Sequence, residues 1–359
     1  MQGVWVVRRP RSRGSGLSPS QPLFGEHRLT SLPVAVDAMG GDNAPQSVLD
    51  GVRIAAEQGI PVLLVGQPEQ LPDDGEFEVI PASQVIAMGA EAASSVRKMK
   101  DSSLVRAAEA VRDGRASAMV SAGNTGAAMA ASLLRMGRIR GVSRPAIATP
   151  IVVPGRAWPN VMLDSGANTE CSAEWLVQFA QMGAVYCRDR WGVEEPRVGL
   201  LSNGEEAGKG SPLVKEAFEL LEEKGWQTRT GAVFAGNVEG RDLLEDLVDV
   251  IVTDGFTGNV ALKTAEGVAK QLINALFKAF DSSEEARQGA ELLAPALTPL
   301  YDEFNPDTVG GAILLGVSGV TIISHGASSP RALANAIEVA HELAERDTVG
   351  SLRRVLSSD

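Results

Sequence analysis

Asp249-Val-Ile-Val-Thr-Asp-Gly-Phe-Thr-Gly-Asn259 is the stretch whose reading decides the fold. Val250–Thr253 is a short, continuous β-branched run, the pattern of a strand buried on both faces. A polar, glycine-bearing turn, Asp254–Asn259, follows at once. From Lys263 the apolar residues change to helical spacing, with Val268, Ala269, Leu272, Ile273, Leu276, Phe277 and Phe280 on one stripe. Strand, glycine turn and helix form the repeating unit of a parallel sheet, whose crossovers need helices.

The unit recurs outward from this point. Further strand-like runs are Pro33–Val36, Val62–Val65, Phe77–Ile80, Ala118–Ser121, Ala146–Val152, Val161–Leu163, Val198–Leu201, Thr228–Phe234 and Val320–Ile323. Helical patterns such as Ser102–Arg112, Asn124–Met136, Pro212–Glu223 and Arg331–Ala344 lie between them. The alternation predicts an α/β protein with a doubly wound, mostly parallel sheet. One segment breaks it. The helical run after Lys263 is followed by a second amphipathic run, Ala286–Tyr301, interrupted by Pro295 and Pro299. Two helices without an intervening strand predict a hairpin, residues 263–301, projecting from the sheet domain. A dimer seam is its preferred role. Superficial membrane contact by its apolar tip comes second, because balanced acids and bases attract lipid weakly.

Length and composition bound the rest. The 359 residues, 44% of them hydrophobic, are near the limit of a single core. We expect one domain over residues 33–347 with a C-terminal tail, 348–359. Residues 1–32 carry Arg8, Arg9, Arg11, Arg13 and Arg28 against Glu26 alone, among many Ser and Pro. They read as a disordered tail or the product of a misassigned start, since the apolar run Val4–Val7 is too short for a signal peptide. A net charge of -12 argues against nucleic acid and anionic lipid as partners except where bases cluster. The uncharged stretch Val309–Ser324 is too short to span a bilayer. The cysteines, Cys171 and Cys187, form no CxxC pair, and with three histidines a zinc site is not expected. The expectation is a cytoplasmic protein.

Seven polar clusters sit at or just past the carboxyl ends of the predicted strands. They are Asp37–Asn43, Ser121–Thr125, Asp164–Asn168, Ser202–Glu206 running on to Lys209, Gly236-Asn237, Asp254–Asn259 and Ser324–Gly326. In an open parallel sheet ligands bind outside those strand ends, and helix N-termini there offer free N–H groups to an anion. Asn and Ser also cap helices, so one such turn alone means little. Seven are read here as converging on a single edge, the active site. No GxGxxG or GxSxG is present. Gly204–Lys209 is one residue short of a P-loop, with Gly210 in place of its Ser or Thr. His341-Glu342 lacks a second histidine. Direct attack by one bound substrate on another is the chemistry that remains.

Val34-Ala-Val-Asp-Ala-Met-Gly-Gly-Asp-Asn-Ala-Pro45 resembles the opening signature of the bacterial phosphate acyltransferases. The resemblance continues through Lys98–Ser103, Ser121–Gly126, Leu163–Asn168, Leu201–Glu206, Asp249–Asn259 and His325-Gly326, spanning about residues 33 to 345. It implies a fold like that of phosphotransacetylases and isocitrate dehydrogenase. It also implies transfer of a long-chain acyl group from acyl carrier protein (ACP) to inorganic phosphate, with the acyl phosphate feeding a downstream glycerol-3-phosphate acyltransferase. A homodimer, loosely membrane-associated, with no organic cofactor and no metal, belongs to the same expectation.

Within it, backbone N–H groups and Lys209 would hold phosphate, while Asn237 and Asn259 orient it or cover the thioester carbonyl oxygen. His325 is the candidate proton donor to the departing thiolate, or else a residue satisfying its own loop. Asp254 would orient Lys209 or a backbone loop. Asp37, Gly40, Gly41, Asp42, Ser121, Asn124, Thr125, Asp164, Asn168, Ser202, Asn203 and Glu205 complete the expected binding set. An acidic enzyme meeting acidic ACP needs a local basic dock. Two stretches qualify: Arg97, Lys98 and Lys100, and Arg135, Arg138, Arg140 and Arg144. The competing readings are a dehydrogenase of the isocitrate or hydroxythreonine-phosphate type and a non-catalytic membrane-recruiting scaffold.

Overall fold

The computed structural model describes residues 32–357 apart from 74, 224 and 304–309. The reading of residues 1–32 therefore falls, but for Leu32, outside the described residues.

The strands are β1 (Val34–Asp37), β2 (Val62–Gly66), β3 (Glu78–Pro81), β4 (Ala118–Ser121), β5 (Ala146–Ile151), β6 (Asn160–Leu163), β7 (Arg197–Leu201), β8 (Val233–Val238), β9 (Val250–Val252), β10 (Ala312–Leu315) and β11 (Val320–Ile323). The helices are α1 (Gln46–Glu57), α2 (Ala92–Lys98), α3 (Ser103–Arg112), α4 (Thr125–Arg135), α5 (Ala173–Trp191), α6 (Pro212–Glu222), α7 (Trp226–Thr230), α8 (Gly255–Phe280), α9 (Glu284–Glu303), α10 (Pro330–Glu345) and α11 (Thr348–Leu356).

All eleven strands join one sheet in the order β3-β2-β1-β4-β11-β10-β5-β6-β9-β7-β8. Neighbours are parallel except around β10 and β5, where β11–β10, β10–β5 and β5–β6 are antiparallel. Helices cover both faces, which is why the strands read as unbroken apolar runs. In β1 the alternation is visible residue by residue. Val34 and Val36 enter the core shared with α1, α5 and α10, while Ala35 enters the one shared with α3 and α4.

The three antiparallel junctions have a large consequence. β1, β2, β3, β4, β11 and β5 run one way, and β10, β6, β9, β7 and β8 run the other. Carboxyl ends of the two sets therefore leave the sheet on opposite edges. The expectation that all seven turns share one edge is corrected here. The sequence hides the inversion because β10 lies inside the uncharged stretch Val309–Ser324, where the β-branched run Val320–Ile323 is the one clear strand signal.

Other local differences have similar causes. Thr228–Phe234 is not one strand, because Trp226–Thr230 forms a helical turn anchored by the buried Trp226, and β8 starts only at Val233. The segment read as a C-terminal tail contains α11, capped by Asp347 and docked through buried Leu352 and Leu356. Residues 255–303 form the helical hairpin, and Pro295 and Pro299 sit inside α9 without ending it. With 26 residues, α8 reaches roughly 39 Å. Val268, Leu272, Leu276, Phe277, Leu292 and Leu293 on the hairpin are all exposed. No helix among the described residues is long and apolar enough to cross a membrane.

Candidate active site

The first edge, at the ends of β1, β4 and β11, gathers three turns whose polar groups satisfy one another. Asp37 is buried, accepting Met39 N–H at 3.2 Å and Ser121 Oγ–H at 2.7 Å. Gly123 N–H donates to Ser121 Oγ at 3.0 Å. Asp42 N–H donates to the Gly326 carbonyl at 2.7 Å. Asn124 caps α4 through Ala127 N–H and donates to the Met88 and Ala90 carbonyls. Burial pushes the Asp37 carboxyl above the usual carboxylate range, against the pull of its hydroxyl and N–H donors. Gly40 packs against the Asp37 carboxylate, Gly41 lies beside the Gly326 carbonyl, and Thr125 is the exposed first residue of α4. His325 is exposed, and its Nδ1 accepts Ala327 N–H at 3.2 Å, so it closes its own turn.

The second edge collects the ends of β6, β9, β7 and β8. Asp164 organises its first turn. Oδ1 accepts N–H groups of Ile147, Gly166 and Ala167 at 3.0–3.1 Å, and Oδ2 accepts Asn168 N–H at 2.6 Å and Asn168 Nδ2 at 2.9 Å. Burial nonetheless pushes this carboxyl upward, with the N–H donors opposing it. The turn after β9 locks onto it: Gly255 N–H donates to the Asn168 carbonyl at 2.7 Å, and Asn259 Nδ2 to the Ser165 carbonyl at 3.4 Å. Gly258 is a glycine by necessity, because a Cβ there would run into the Asp164 carbonyl. Asp254 caps α8, accepting Thr257 N–H at 2.9 Å and Thr257 Oγ1 at 2.7 Å. It orients a helix start and not Lys209.

The turns after β7 and β8 complete this edge. Asn203 Oδ1 accepts Gly210 N–H at 2.9 Å, closing the loop Asn203–Gly210. Asn237 Nδ2 donates to the Glu206 carbonyl at 2.9 Å, tying the loop down onto β8. That bond fixes which amide atom is which, and leaves Asn237 Oδ1 buried with no partner among the described residues. Ser202 Oγ is in the same condition. Leu200 pairs with Asn237, so Ser202 and Asn237 share one face of the sheet beneath the loop. Lys209 is exposed and makes no ion pair among the described residues, and its stem lies across Gly204, where a Cβ would stand 2.7 Å from Lys209 Cγ. Glu205 faces Arg241 at 2.8 Å, and as a carboxylate paired with a guanidinium it is not suited to grip phosphate. Arg241 escaped the sequence reading because nothing in Glu239-Gly-Arg-Asp242 marks it.

Four of the five residues expected to do chemistry thus share the second edge: Lys209, Asn237, Asn259 and Asp254. His325 does not: it follows β11, whose carboxyl end lies on the first edge. The basic stretches separate in the same way. Lys98 and Lys100, with Arg97, lie by α2, whose Ala92 packs against Gly126 at the first edge. Arg144 precedes Pro145, whose carbonyl accepts Asn168 Nδ2 at 2.8 Å on the second edge. Arg144 stacks over Trp175 at 4.9 Å, Arg138 is bonded to the Ser143 carbonyl, and Gln178 holds Gly141 and Ser143. Arg135 instead turns to Glu109, which removes it from an exposed dock.

Cys171, also on the second edge, donates weakly to the Asn168 carbonyl. Burial, then the nearby Asp164 charge, pushes its thiol up to about 11, so at neutral pH it is protonated and a poor nucleophile. Among the described residues no group of three His, Cys, Asp or Glu is placed to hold a metal ion.

Solved phosphotransacetylases share the overall fold. The structure of a phosphotransacetylase from Streptococcus pyogenes superposes with a TM-score of 0.59 at 16% identity, covering 88% of this chain and 95% of that one. The EutD phosphotransacetylase from Staphylococcus aureus gives 0.57 at 14%, covering 89% and 96%. Sequence narrows the class. A family model described as "Fatty acid synthesis protein" matches residues 32–350. The curated phosphate acyltransferase of Pelotomaculum thermopropionicum is 44% identical over 91% of this chain and 96% of its own, and that of Elusimicrobium minutum 45% over 90% and 95%. The chain belongs to the phosphate acyltransferase family of fatty acid synthesis proteins, and it is an acyltransferase.

Proposed function

We propose that this acyltransferase moves a long-chain acyl group from ACP to inorganic phosphate on the second edge of the sheet. The acyl phosphate would serve glycerol-3-phosphate acylation by a separate enzyme. One observation carries the placement: beneath the loop that bears Lys209, a cation with no ion pair among the described residues, two buried polar atoms, Ser202 Oγ and Asn237 Oδ1, have no partner among those residues. Buried polar groups left unpaired weaken a fold, and a cluster of them marks a place that a ligand completes. Hydrogen phosphate held by Lys209 and the backbone N–H groups of the loop attacks the thioester carbonyl directly; the C–S bond then breaks, and the proton that the phosphate brought leaves on the ACP thiol. Asn259 lies beside Ser165 to cover the developing oxyanion, and the protonated Cys171 argues against a covalent enzyme intermediate.

The Arg138–Arg144 loop, joined to the same edge through Pro145 and Asn168, is the dock for acidic ACP. The exposed apolar stripe of α8 and α9 seats a second copy of the chain, and its tip touches the membrane surface. Incubating the purified protein with palmitoyl-ACP and phosphate, without nucleotide or added metal, and trapping with hydroxylamine should give the acyl hydroxamate. Product that forms only with a nicotinamide nucleotide would return the dehydrogenase reading. Retained lipid synthesis in cells carrying Lys209→Ala with Asn237→Ala would favour the scaffold.

A further inference from the structure

The proposed phosphate site stands in hostile electrostatic surroundings. The loop and the turn after β8 hold Glu205, Glu206, Glu239 and Asp242 against only Lys209 and Arg241. Unmasked, those carboxylates would repel a dianion, since charges near a protein surface act over about a Debye length, roughly 10 Å at 0.1 M salt.

The geometry points to Arg241 as the residue that masks them. Its Nη2 lies 2.8 Å from Glu205 Oε1 and 2.6 Å from Glu239 Oε2, and its Nε is 3.7 Å from Asp242 Oδ1. One guanidinium therefore faces three of the four carboxylates. Asp242 also accepts Glu239 N–H at 2.7 Å in a reciprocal cap, which holds the acidic turn still beneath it. The hydrogen bond to Glu205, then the Glu239 charge, raises the Arg241 pKa, so it stays charged throughout the working range. Arg241 is exposed and needs no contact with substrate. It is a positioning and charge-masking residue that lets phosphate approach Lys209, and it acts through Glu205 on the loop that Lys209 closes.

This inference rests on the proposed phosphate site, and the test separates the two. Arg241→Ala should raise KM for phosphate roughly five- to tenfold at low ionic strength, with kcat and KM for acyl-ACP within twofold. The deficit should shrink severalfold at 0.5 M KCl, because salt screens repulsion. Arg241→Lys, which keeps the charge and loses the fork, should recover most of the phosphate KM, and Glu205→Gln in the Arg241→Ala background should recover part. An unchanged phosphate KM in Arg241→Ala, or a fall in kcat indifferent to salt, overturns the inference. If Lys209→Ala also leaves phosphate kinetics untouched, the site itself is misplaced. If Lys209→Ala is crippled while Arg241→Ala is not, only the role of Arg241 fails.

Discussion

Two edges of one sheet carry turns that look alike in sequence, and they differ in what their polar atoms have left to do. At the ends of β1, β4 and β11, Asp37, Ser121, Gly123, Asn124 and His325 are occupied with one another or with their own loops. At the ends of β6, β9, β7 and β8, Asp164 and Asp254 are equally occupied, yet Ser202 Oγ, Asn237 Oδ1 and the Lys209 ammonium have no partner among the described residues. The contrast teaches that a glycine-rich turn with Asp and Asn is first a device for ending a strand and starting a helix. Its availability for chemistry depends on whether any donor or acceptor is left over.

The strongest way to break the comparison is to remove chemistry from one edge at a time. Lys209→Ala, which removes the cation proposed to hold phosphate, and Asn259→Ala, which removes the proposed donor to the oxyanion, should each lower turnover by about 10²–10³, the usual loss for one preorganised group of this kind. His325→Ala should stay within threefold by the same hydroxamate assay. A His325→Ala enzyme as damaged as Lys209→Ala would show that the first edge joins the reaction, with a second chain supplying it.

A smaller effect sharpens the structural side. Asp164 gathers five N–H donors from the turns after β6 and from β5. Asp164→Asn would turn one acceptor into a donor facing them, which should destabilise the fold by about 2–4 kcal/mol in denaturant titrations. Asp37, with fewer donors, should lose less on the same change. The pH sign follows from the shifts. Both carboxyls have folded pKa values above their unfolded ones, so the folded chain holds extra protons between the two values. Their contribution to stability is fully present below the unfolded value, near 3.8, and is lost as pH rises through the folded value. In Asp37→Asn with Asp164→Asn, unfolding free energy should lose that downward slope above pH 4, and a slope equal to that of the parent would count against the shifts.

Most of this architecture was legible in Asp249–Asn259 and its repeats, because strands buried on both faces leave continuous apolar runs that side-chain chemistry makes hard to mistake. The direction of each strand was not legible. Direction depends on pairing between residues far apart, here Ile313–Leu315 with Ala146–Ala148, and no local pattern encodes it. The site was legible to the same degree. Asn237 and Lys209 stood out as polar residues at strand ends. Arg241 did not, since the three carboxylates it faces come to it only on folding. His325 was misplaced for the converse reason: it ends a strand as the others do, but that strand belongs to the opposite set.

The gentlest test concerns docking, where the two edges again offer rival bases. Arg138, Arg140 and Arg144 flank the second edge on a loop pinned by Gln178, whereas Arg97, Lys98 and Lys100 cluster by the first. Rim charges govern encounter more than chemistry, so reversing them should change the donor's KM and leave kcat alone. Arg138→Glu with Arg140→Glu should raise KM for acyl-ACP about tenfold and leave acyl-CoA use nearly unchanged, since acyl-CoA lacks the protein surface that the loop would meet. Lys98→Glu with Lys100→Glu should change acyl-ACP use less than twofold. The reverse pattern would move the carrier to the far edge, and with it the thioester, leaving Lys209 and Asn237 without a donor to act on.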